Sequence, residues 1–312
     1  HLLDARADAL REHACALDAE GLKCWGKGDR GQLAVPTGLT GIKSIATGRH
    51  HTCVLDAQEV KCWGDSTYGQ TTIPTALGQV SRLSAGSNTS CAFDDDHARC
   101  WGDNTNGQAR VPAGLTGIKA IAAGDDHVCA LDANGVKCWG ANGAGQTQVP
   151  ASLKGVRSLV SGGGAHTCAL DAEGVKCWGS NEQGQLEVPK GLKDVRSIGV
   201  GVMHSCALDA EGVKCWGNNY QHQIEVPPGL KNVKLLMTGG FHNCVLDDQG
   251  VKCWGGNQEG QTQIPSGLKG VKQLVGGALN TCALDQEGVK CWGYNVYGQS
   301  NVPAGLKDVR WL

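Results

Sequence analysis

Eight cysteine pairs of the form Cys-x8-Cys recur along the chain at a spacing of 38 or 39 residues, and each pair is followed by Trp-Gly. All 16 cysteines belong to these pairs, which are Cys15 with Cys24, Cys53 with Cys62, Cys91 with Cys100, Cys129 with Cys138, Cys168 with Cys177, Cys206 with Cys215, Cys244 with Cys253 and Cys282 with Cys291. A strict period of this length is typical of repeat architectures. The even count, without any short Cys-x2-4-Cys zinc knuckle, favours a disulfide within each unit. The pattern therefore predicts eight stapled units and an extracellular, cell-surface or periplasmic location.

Residues 192–230 illustrate how one unit is expected to fold. The segments 195–198, 205–208, 213–216 and 223–226 each read as a short strand, and they are separated by loops rich in glycine. The tight turn at Asp209-Ala-Glu-Gly places Cys206 opposite Cys215, with Cα atoms about 4.5–5.5 Å apart and within disulfide reach. Four antiparallel strands in a unit of about 40 residues predict a propeller blade.

The predicted fold class is all-β: a single β-propeller of eight blades, with four antiparallel strands and one intrablade disulfide per blade. Residues 309–312 match the first strand of a unit, whereas unit one starts at its second strand. The C-terminal strand is therefore expected to complete the N-terminal blade and close the ring. The predicted domains are a propeller over 13–312 and an N-terminal cap or extension over 1–12, where Leu3, Ala7 and Leu10 have helical spacing.

Charge and motifs argue against several classes of function. The chain has 28 Lys and Arg against 30 Asp and Glu, and no basic stripe is visible along the sequence, which argues against nucleic-acid binding. Its apolar runs are too short for direct membrane insertion. No phosphate-binding Gly-x-x-x-x-Gly-Lys and no local Ser/His/Asp set occurs, and Asp103–Gly107 lacks the spacing of a calcium loop. We therefore expect no cofactor and no enzymatic activity.

The unit sequence His-x-Cys-Ala-Leu-Asp-x-x-Gly-Val-Lys-Cys-Trp-Gly-x-Asn-x-x-Gly-Gln resembles the repeat of the regulator of chromosome condensation superfamily. The segment Gly-Gln-Thr-x-Val/Ile-Pro, as at 145–150, is similar to the secreted propeller inhibitor of β-lactamases. The paired cysteines resemble bacterial secreted members and the crinkly-type ectodomains of plant receptor kinases. The resemblance implies a propeller that binds partners through loop surfaces. Members of the superfamily normally have seven blades, whereas eight units are counted here.

The strand order assigns the loops to two faces. The loops after the first and third strands share one face, and the Asp-x-x-Gly and Pro-x-Gly-Leu turns share the other. The turn sequences nearly repeat, whereas the loops vary from unit to unit, as expected of a recognition surface. The candidate binding residues on the variable face are Arg49, His50, Asp125, Asp126, Val202, Met203, Tyr220, Phe241, Leu279, Tyr294 and Tyr297.

The early units of this face are charged and the late units are apolar and aromatic, which favours a protein-binding or self-assembly surface on units six to eight. The competing interpretation is that these side chains pack on their own blades. The leading function is thus a secreted non-catalytic propeller that binds another protein, or itself, through the variable loop face. The first alternative is a secreted enzyme inhibitor. Its target is not expected to be a β-lactamase, because Phe241 is the only aromatic residue in the Gly-x-x-His loops.

The second alternative is a glycan- or metal-binding protein that uses a ring of histidines. These stand two residues before the first cysteine in six units, as His13, His51, His127, His166, His204 and His242. Thr89 and Asn280 replace them in the other two units. Because Thr and Asn can also make a hydrogen bond to backbone at the start of the second strand, a structural role is the favoured interpretation.

Overall fold

The structure is a computed structural model that describes residues 12–75 and 77–310. Residues 1–11 of the predicted cap and residues 311–312 of the predicted closing strand lie outside these ranges. Within the described ranges, no helix is long and apolar enough to span a bilayer. The strands are β1 His13–Leu17, β2 Leu22–Gly26, β3 Ser44–Thr47, β4 His51–Leu55, β5 Val60–Gly64, β6 Arg82–Ala85, β7 Thr89–Phe93, β8 Ala98–Gly102, β9 Ala120–Ala123, β10 His127–Asp132, β11 Gly135–Gly140, β12 Ser158–Ser161, β13 His166–Leu170, β14 Val175–Gly179, β15 Ser197–Val200, β16 His204–Leu208, β17 Val213–Gly217, β18 Leu235–Thr238, β19 His242–Asp247, β20 Gly250–Gly255, β21 Gln273–Gly276, β22 Asn280–Leu284 and β23 Val289–Gly293.

These strands form eight antiparallel sheets, which we call units 1 to 8 in chain order. Unit 1 contains β1 and β2, and each later unit contains three consecutive strands with the second strand in the middle. The all-β class and the eight units are therefore confirmed. The prediction of four strands per unit is wrong, because 223–226 and the equivalent segments form turns and irregular backbone.

The fourth segment fails to pair because its backbone groups are used elsewhere. In unit 6, the Val226 N–H donates to the carbonyl of Ile224 at 3.1 Å, as in a tight turn. The carbonyl of Gln223 accepts the indole N–H of Trp254 in unit 7 at 3.1 Å. Pro227 then removes the next backbone donor. Apolar alternation in this segment therefore reflects contacts with the next unit and not a strand.

The predicted disulfides are confirmed in all eight units. Each cysteine is bonded to the partner that the spacing predicts. The bonds join Cys15 to Cys24, Cys53 to Cys62, Cys91 to Cys100, Cys129 to Cys138, Cys168 to Cys177, Cys206 to Cys215, Cys244 to Cys253 and Cys282 to Cys291. The predicted hairpin register is confirmed as well, since Cys206 lies opposite Cys215 and Leu208 lies opposite Val213. The paired Cα atoms are 4.0–4.1 Å apart, which is closer than the predicted separation.

The two cysteines of each bridge differ in burial. The first cysteine, on the middle strand, is at most 7% exposed in every unit. The second cysteine, on the third strand, is only partly buried, and this holds for Cys24, Cys62, Cys100, Cys138, Cys177, Cys215, Cys253 and Cys291. Each bridge therefore runs from the core of a sheet toward its outer strand, and it leaves the contacts between units to noncovalent packing.

The hydrophobic core lies between neighbouring sheets. One buried cluster contains Leu208 and Val213 of unit 6 together with Val233, Val245 and Trp254 of unit 7. The described residues form seven such clusters, one for each consecutive pair of units. Burying apolar surface stabilises by roughly 25 cal/mol per Å², so consecutive units are joined mainly by these side chains.

Hydrogen bonds also connect the two ends of the array. The Arg310 N–H donates to the carbonyl of Leu17 at 2.8 Å. The indole N–H of Trp25 in unit 1 donates to the carbonyl of Gln299 in unit 8 at 3.0 Å. The internal units make the same two kinds of bond. One joins the segment before a unit to the middle strand of that unit, and the other joins neighbouring units. The end of the chain therefore contacts unit 1 as the segment before each later unit contacts that unit.

Candidate functional site

The two sets of variable loops lie side by side in every unit. In unit 6, the Asn218 N–H after the third strand donates to the carbonyl of Met203 after the first strand, at 2.9 Å. On the other side, the Ala210 N–H of the Asp-x-x-Gly turn donates to the carbonyl of Lys193 at 2.8 Å. The assignment of loops to two faces is therefore confirmed. We call them the loop face (in unit 6, residues 201–203 and 218–222) and the turn face (in unit 6, residues 190–193 and 209–212).

Loops of neighbouring units are hydrogen-bonded to one another. The Arg49 N–H donates to the carbonyl of Ser87, and the Val202 N–H donates to the carbonyl of Gly240, both at 3.1 Å. Glycine allows this approach, because a Cβ atom at Gly86 would meet the carbonyl oxygen of the corresponding glycine in the next unit. The loop face is therefore a connected surface with a fixed backbone.

Large apolar side chains are exposed on the loop face of units 6 and 8. The exposed fractions are 85% for Tyr220, 71% for Val296, 46% for Tyr297 and 41% for Met203. The other predicted apolar residues, Val202, Phe241, Leu279 and Tyr294, are only partly exposed. The predicted patch therefore consists of a few projecting side chains above a partly buried layer.

Tyr68, in unit 2, is a further exposed aromatic residue that was not among the predicted binding residues. It is 51% exposed, and its N–H donates to Oε1 of the buried Gln70 at 2.9 Å. Tyr297 makes the same bond to Gln299 at 2.9 Å. The shared Tyr-Gly-Gln sequence is the signal that identifies Tyr68 as a loop-face residue equivalent to Tyr297.

The charged candidates lie on the loop face of units 2 to 4. Arg49 and Asp126 are exposed, whereas His50 and Asp125 are half-buried. The Ser87 hydroxyl donates to the Asp125 carboxylate. Burial raises the pKa of Asp126, and the nearby carboxylate of Asp103 raises it further. This region therefore has a concentration of negative charge.

Unit 1 joins the aromatic and charged regions. The Lys27 ammonium lies 4.8 Å from the ring centroid of Tyr297 in unit 8 and 2.5 Å from the carboxylate of Glu12. The rings of Tyr294 and Tyr297 meet edge to face, with centroids 6.1 Å apart. Glu12 in turn lies 3.9 Å from Nδ1 of His50. The predicted charged and aromatic regions thus form one continuous surface across units 8, 1 and 2.

Each of the six histidines connects its own unit to the next one through its side chain. The pairs are His13–Thr52, His51–Ser90, His127–Thr167, His166–Ser205, His204–Asn243 and His242–Thr281, with Nε2 to oxygen distances of 2.7–3.1 Å. Through Nε2 each ring therefore extends across the boundary between units, to a side-chain partner and not to the backbone partner that the sequence predicts.

The Asn243 pair fixes the direction of this bond. Its amide nitrogen donates to the carbonyl of Gln223 at 2.8 Å, so its carboxamide oxygen faces His204 and accepts from Nε2–H. The two units without histidine follow a different rule. Thr89 precedes a unit with Val128 at the acceptor position. Thr89 Oγ1 donates to the carbonyl of Asp103 in its own unit at 3.4 Å, so it makes the predicted kind of bond to backbone.

The buried environment keeps four of these rings neutral. Burial lowers the pKa of His127 and His204 to about 4, and that of His166 and His242 to about 3. Among residues 12–75 and 77–310, no three His, Cys, Asp or Glu side chains are grouped so that they could hold a metal ion. The histidines therefore form hydrogen bonds between neighbouring units.

The repeat itself matches a known family model. The regulator of chromosome condensation (RCC1) repeat matches residues 42–70, 80–108, 118–146, 157–185, 195–223 and 271–299. These are units 2 to 6 and unit 8, and together they make up more than half of the chain. The chain belongs to the RCC1 repeat family. No curated protein sequence gives a significant match.

Several solved structures have a similar fold. The ectodomain of the receptor kinase CR4 from Physcomitrella patens is 28% identical, with a TM-score of 0.60, and the match covers 82% of this chain and 74% of that chain. The CRINKLY ectodomain of Arabidopsis thaliana ACR4 is 24% identical, with a TM-score of 0.58, covering 82% and 97%. Yeast RCC1 (Prp20), in its complex with Kap60, is 20% identical, with a TM-score of 0.60, covering 99% and 87%. The fold of this RCC1-repeat chain is thus also the fold of receptor ectodomains.

Proposed function

We propose that this chain is a secreted, non-catalytic propeller that binds a protein through the loop face of units 6 to 8. The observation that carries the proposal is the exposure of Tyr220, Val296, Tyr297 and Met203 on a hydrogen-bonded loop surface. Exposed aromatic residues and Met are enriched at protein interfaces, and tyrosine provides a large contact area at a low cost in side-chain entropy. The partner is either a foreign protein or a second copy of the chain.

Secretion is supported by the cysteine chemistry. All 16 cysteines are paired in eight disulfides, and disulfides persist mainly in oxidising compartments. The similarity to the CR4 ectodomain agrees with this placement. The complex of yeast RCC1 with Kap60 is one case in which a protein of this fold binds another protein.

Substitution of the exposed patch tests the binding proposal. We expect Met203→Asp combined with Tyr220→Asp to weaken binding by at least about 30-fold, since a central interface residue typically contributes about 2 kcal/mol or more. Self-association is measured by sedimentation velocity of the purified chain. If the chain is monomeric, a foreign partner is captured from the native cell envelope, identified and titrated by calorimetry.

Ile264→Asp is the matched control, because Ile264 is 36% exposed and lies outside the variable loops. It should leave binding unchanged. Equal affinity of the double variant and the wild-type protein for an identified partner would refute the proposal. A partner that proves to be an enzyme inhibited by the chain would select the inhibitor alternative.

We also infer that the array closes into a ring, with the C-terminal strand completing unit 1. The Arg310 N–H bond to Leu17 supports closure. The sequence also supports closure. In a ring, Asn280 of unit 8 would lie beside Ala14 of unit 1, and Thr89 and Val128 hold the equivalent positions in units 3 and 4. In both pairs the histidine and its polar partner are absent together.

Amide hydrogen exchange tests closure with an internal control. The Lys272 N–H donates to the carbonyl of Leu284 at 2.8 Å, the same bond that Arg310 makes to Leu17 at 2.8 Å. In a closed monomer we expect the two amides to exchange within about tenfold of each other, because both belong to complete sheets. Exchange of the Arg310 amide near the rate of an unstructured peptide would show an open array.

A further inference from the structure

A carboxylate on the turn face binds a lysine in seven of the eight units. The aspartate that opens each Asp-x-x-Gly turn accepts a hydrogen bond from the lysine five residues later, on the third strand. The pairs are Asp18–Lys23, Asp56–Lys61, Asp132–Lys137, Asp171–Lys176, Asp209–Lys214, Asp247–Lys252 and Asp285–Lys290, at 2.8–3.2 Å. In these seven units the aspartate side chain is at most 1% exposed.

Unit 3 keeps the aspartate and loses the lysine. Asp94 Oδ1 accepts the backbone N–H groups of Asp96 and His97 at 2.8 and 2.7 Å, so the turn is formed as in the other units. Arg99 stands at the lysine position, and its Nη1 donates to the carbonyl of Ala98 at 3.5 Å and not to Asp94. The Asp94 side chain is 25% exposed. Among the residues that the structure describes, none donates to its Oδ2.

The missing lysine coincides with a cleft. It has a volume of about 350 Å³ and is lined by Leu77, Gly78, Gln79, Asp94, His97 and Arg99. The cleft separates the linker before unit 3 from the hairpin of β7 and β8, so the face of Asp94 that a lysine covers elsewhere is open here. Leu77 supplies an apolar wall beside the carboxylate.

Asp94 is the carboxylate that lines the cleft, and Arg99 and His97 lie beside it. His97 Nδ1 lies 3.4 Å from Asp94 Oδ1, and Arg99 Nη1 donates to the carbonyl of Ala98. Asp94 Oδ2 is therefore the carboxylate oxygen that can accept from a positive ligand.

We propose that the cleft beside Asp94 binds a primary alkylammonium group. This is the group that a lysine Nζ supplies to the same carboxylate in the other seven units, so the chain contains seven occupied copies of the site. The ammonium donates to Asp94 Oδ2, and its alkyl chain lies against Leu77. The site lies on the turn face and is independent of the loop-face function proposed above.

An NMR titration tests the site with two probes. n-Butylammonium represents a free amine, and N-acetyl-Gly-Lys-Gly-amide represents a lysine of a protein. We expect saturable shifts of the Asp96 and His97 amide signals, with a dissociation constant on the order of millimolar because the ion pair is partly exposed. Tighter binding of the peptide identifies a protein lysine as the ligand, and equal affinity identifies a small amine. 1-Butanol, which lacks the charge, should give no saturable shift.

Arg99→Lys is the decisive variant, because it restores the residue found in the seven other units. It should pair with Asp94, fill the site internally and reduce the affinity for both probes at least tenfold, while raising the midpoint of thermal unfolding. Asp94→Asn should also abolish binding, and the amide spectrum of each variant establishes that it is folded. The same saturable shifts in Arg99→Lys, or no saturable shift in the wild-type protein, would overturn the proposal.

Discussion

Reduction of the eight disulfides is expected to unfold the whole protein. Each bridge joins cysteines nine residues apart in sequence. In the chain-entropy model, closing a loop of about ten residues contributes roughly 2–3 kcal/mol. Eight bridges together contribute on the order of 20 kcal/mol, which exceeds the roughly 5–15 kcal/mol by which a folded domain is usually stable. We therefore expect the packing between units to be insufficient to keep the reduced chain folded.

The experiment compares thermal unfolding of the oxidised and the reduced chain by circular dichroism and calorimetry. Mass spectrometry shows how far reduction has gone, since the fully reduced chain is heavier by 16 hydrogens, one for each cysteine. The control is Cys206→Ser combined with Cys215→Ser, which should lose about 2–3 kcal/mol and remain folded. A reduced chain with a cooperative transition near that of the oxidised protein would show that packing between units dominates.

The sequence was sufficient for the parts of the fold that depend on neighbours within a unit. The turn at Asp209–Gly212 determines the hairpin register, and that register places Cys206 opposite Cys215. The fourth strand was predicted wrongly because alternation of side chains does not show whether a pairing strand is available. At 223–226 the neighbouring backbone belongs to the next unit, and the indole of Trp254 occupies the carbonyl of Gln223.

The candidate site was predictable only where one unit differs visibly from the others. Tyr220 and Met203 differ from the residues at the same positions of other units, and both are exposed. The contact between Lys27 and Tyr297 could not be predicted in this way, because these residues belong to the first and last units and meet only across the ends of the array. Arg99 stands at the position where the other seven units have a lysine, and only the structure shows the cleft beside it.

Acidification from pH 7 to pH 5 is expected to lower the free energy of unfolding steeply. Burial holds the pKa of four histidines at about 3 to 4 in the folded chain, whereas the value in an unfolded chain is about 6.5. The unfolded chain therefore binds protons below pH 6.5 that the folded chain rejects. The four histidines make their full contribution to the free energy of unfolding above that pH. The contribution is lost as the pH falls toward 4, by about 1.4 kcal/mol per pH unit for each histidine.

The turn aspartates act in a separate, more acidic range. The backbone N–H of Glu59 and the ammonium of Lys61 lower the pKa of Asp56 to about 2. A carboxylate with a lowered pKa stabilises the fold above its unfolded value, about 3.9, and that contribution is lost as the pH falls further. Between pH 6.5 and 5, the loss of stability therefore reports on histidines, and its slope should rise from about two protons taken up on unfolding at pH 6.5 to about four near pH 5.

A unit without histidine provides the residues for a double variant at positions 204 and 243. His204→Ala should cost about 2–4 kcal/mol at pH 7.5, because it opens a cavity and leaves the buried carboxamide oxygen of Asn243 without a donor. His204→Thr combined with Asn243→Val copies the natural pair Thr89 and Val128 and should recover part of that loss.

Urea unfolding at a series of pH values measures both effects. In the double variant the dependence of stability on pH between 6.5 and 5 should decrease by about one proton, while the single variant also loses stability at pH 7.5. Because the two variants lack the same histidine, their difference at pH 7.5 reports the replacement side chains at 204 and 243, which include the unpaired carboxamide oxygen of Asn243 in the single variant. An unchanged pH dependence in the double variant would mean that His204 binds protons equally in the folded and in the unfolded chain. Burial between units 6 and 7 would then not keep its ring neutral.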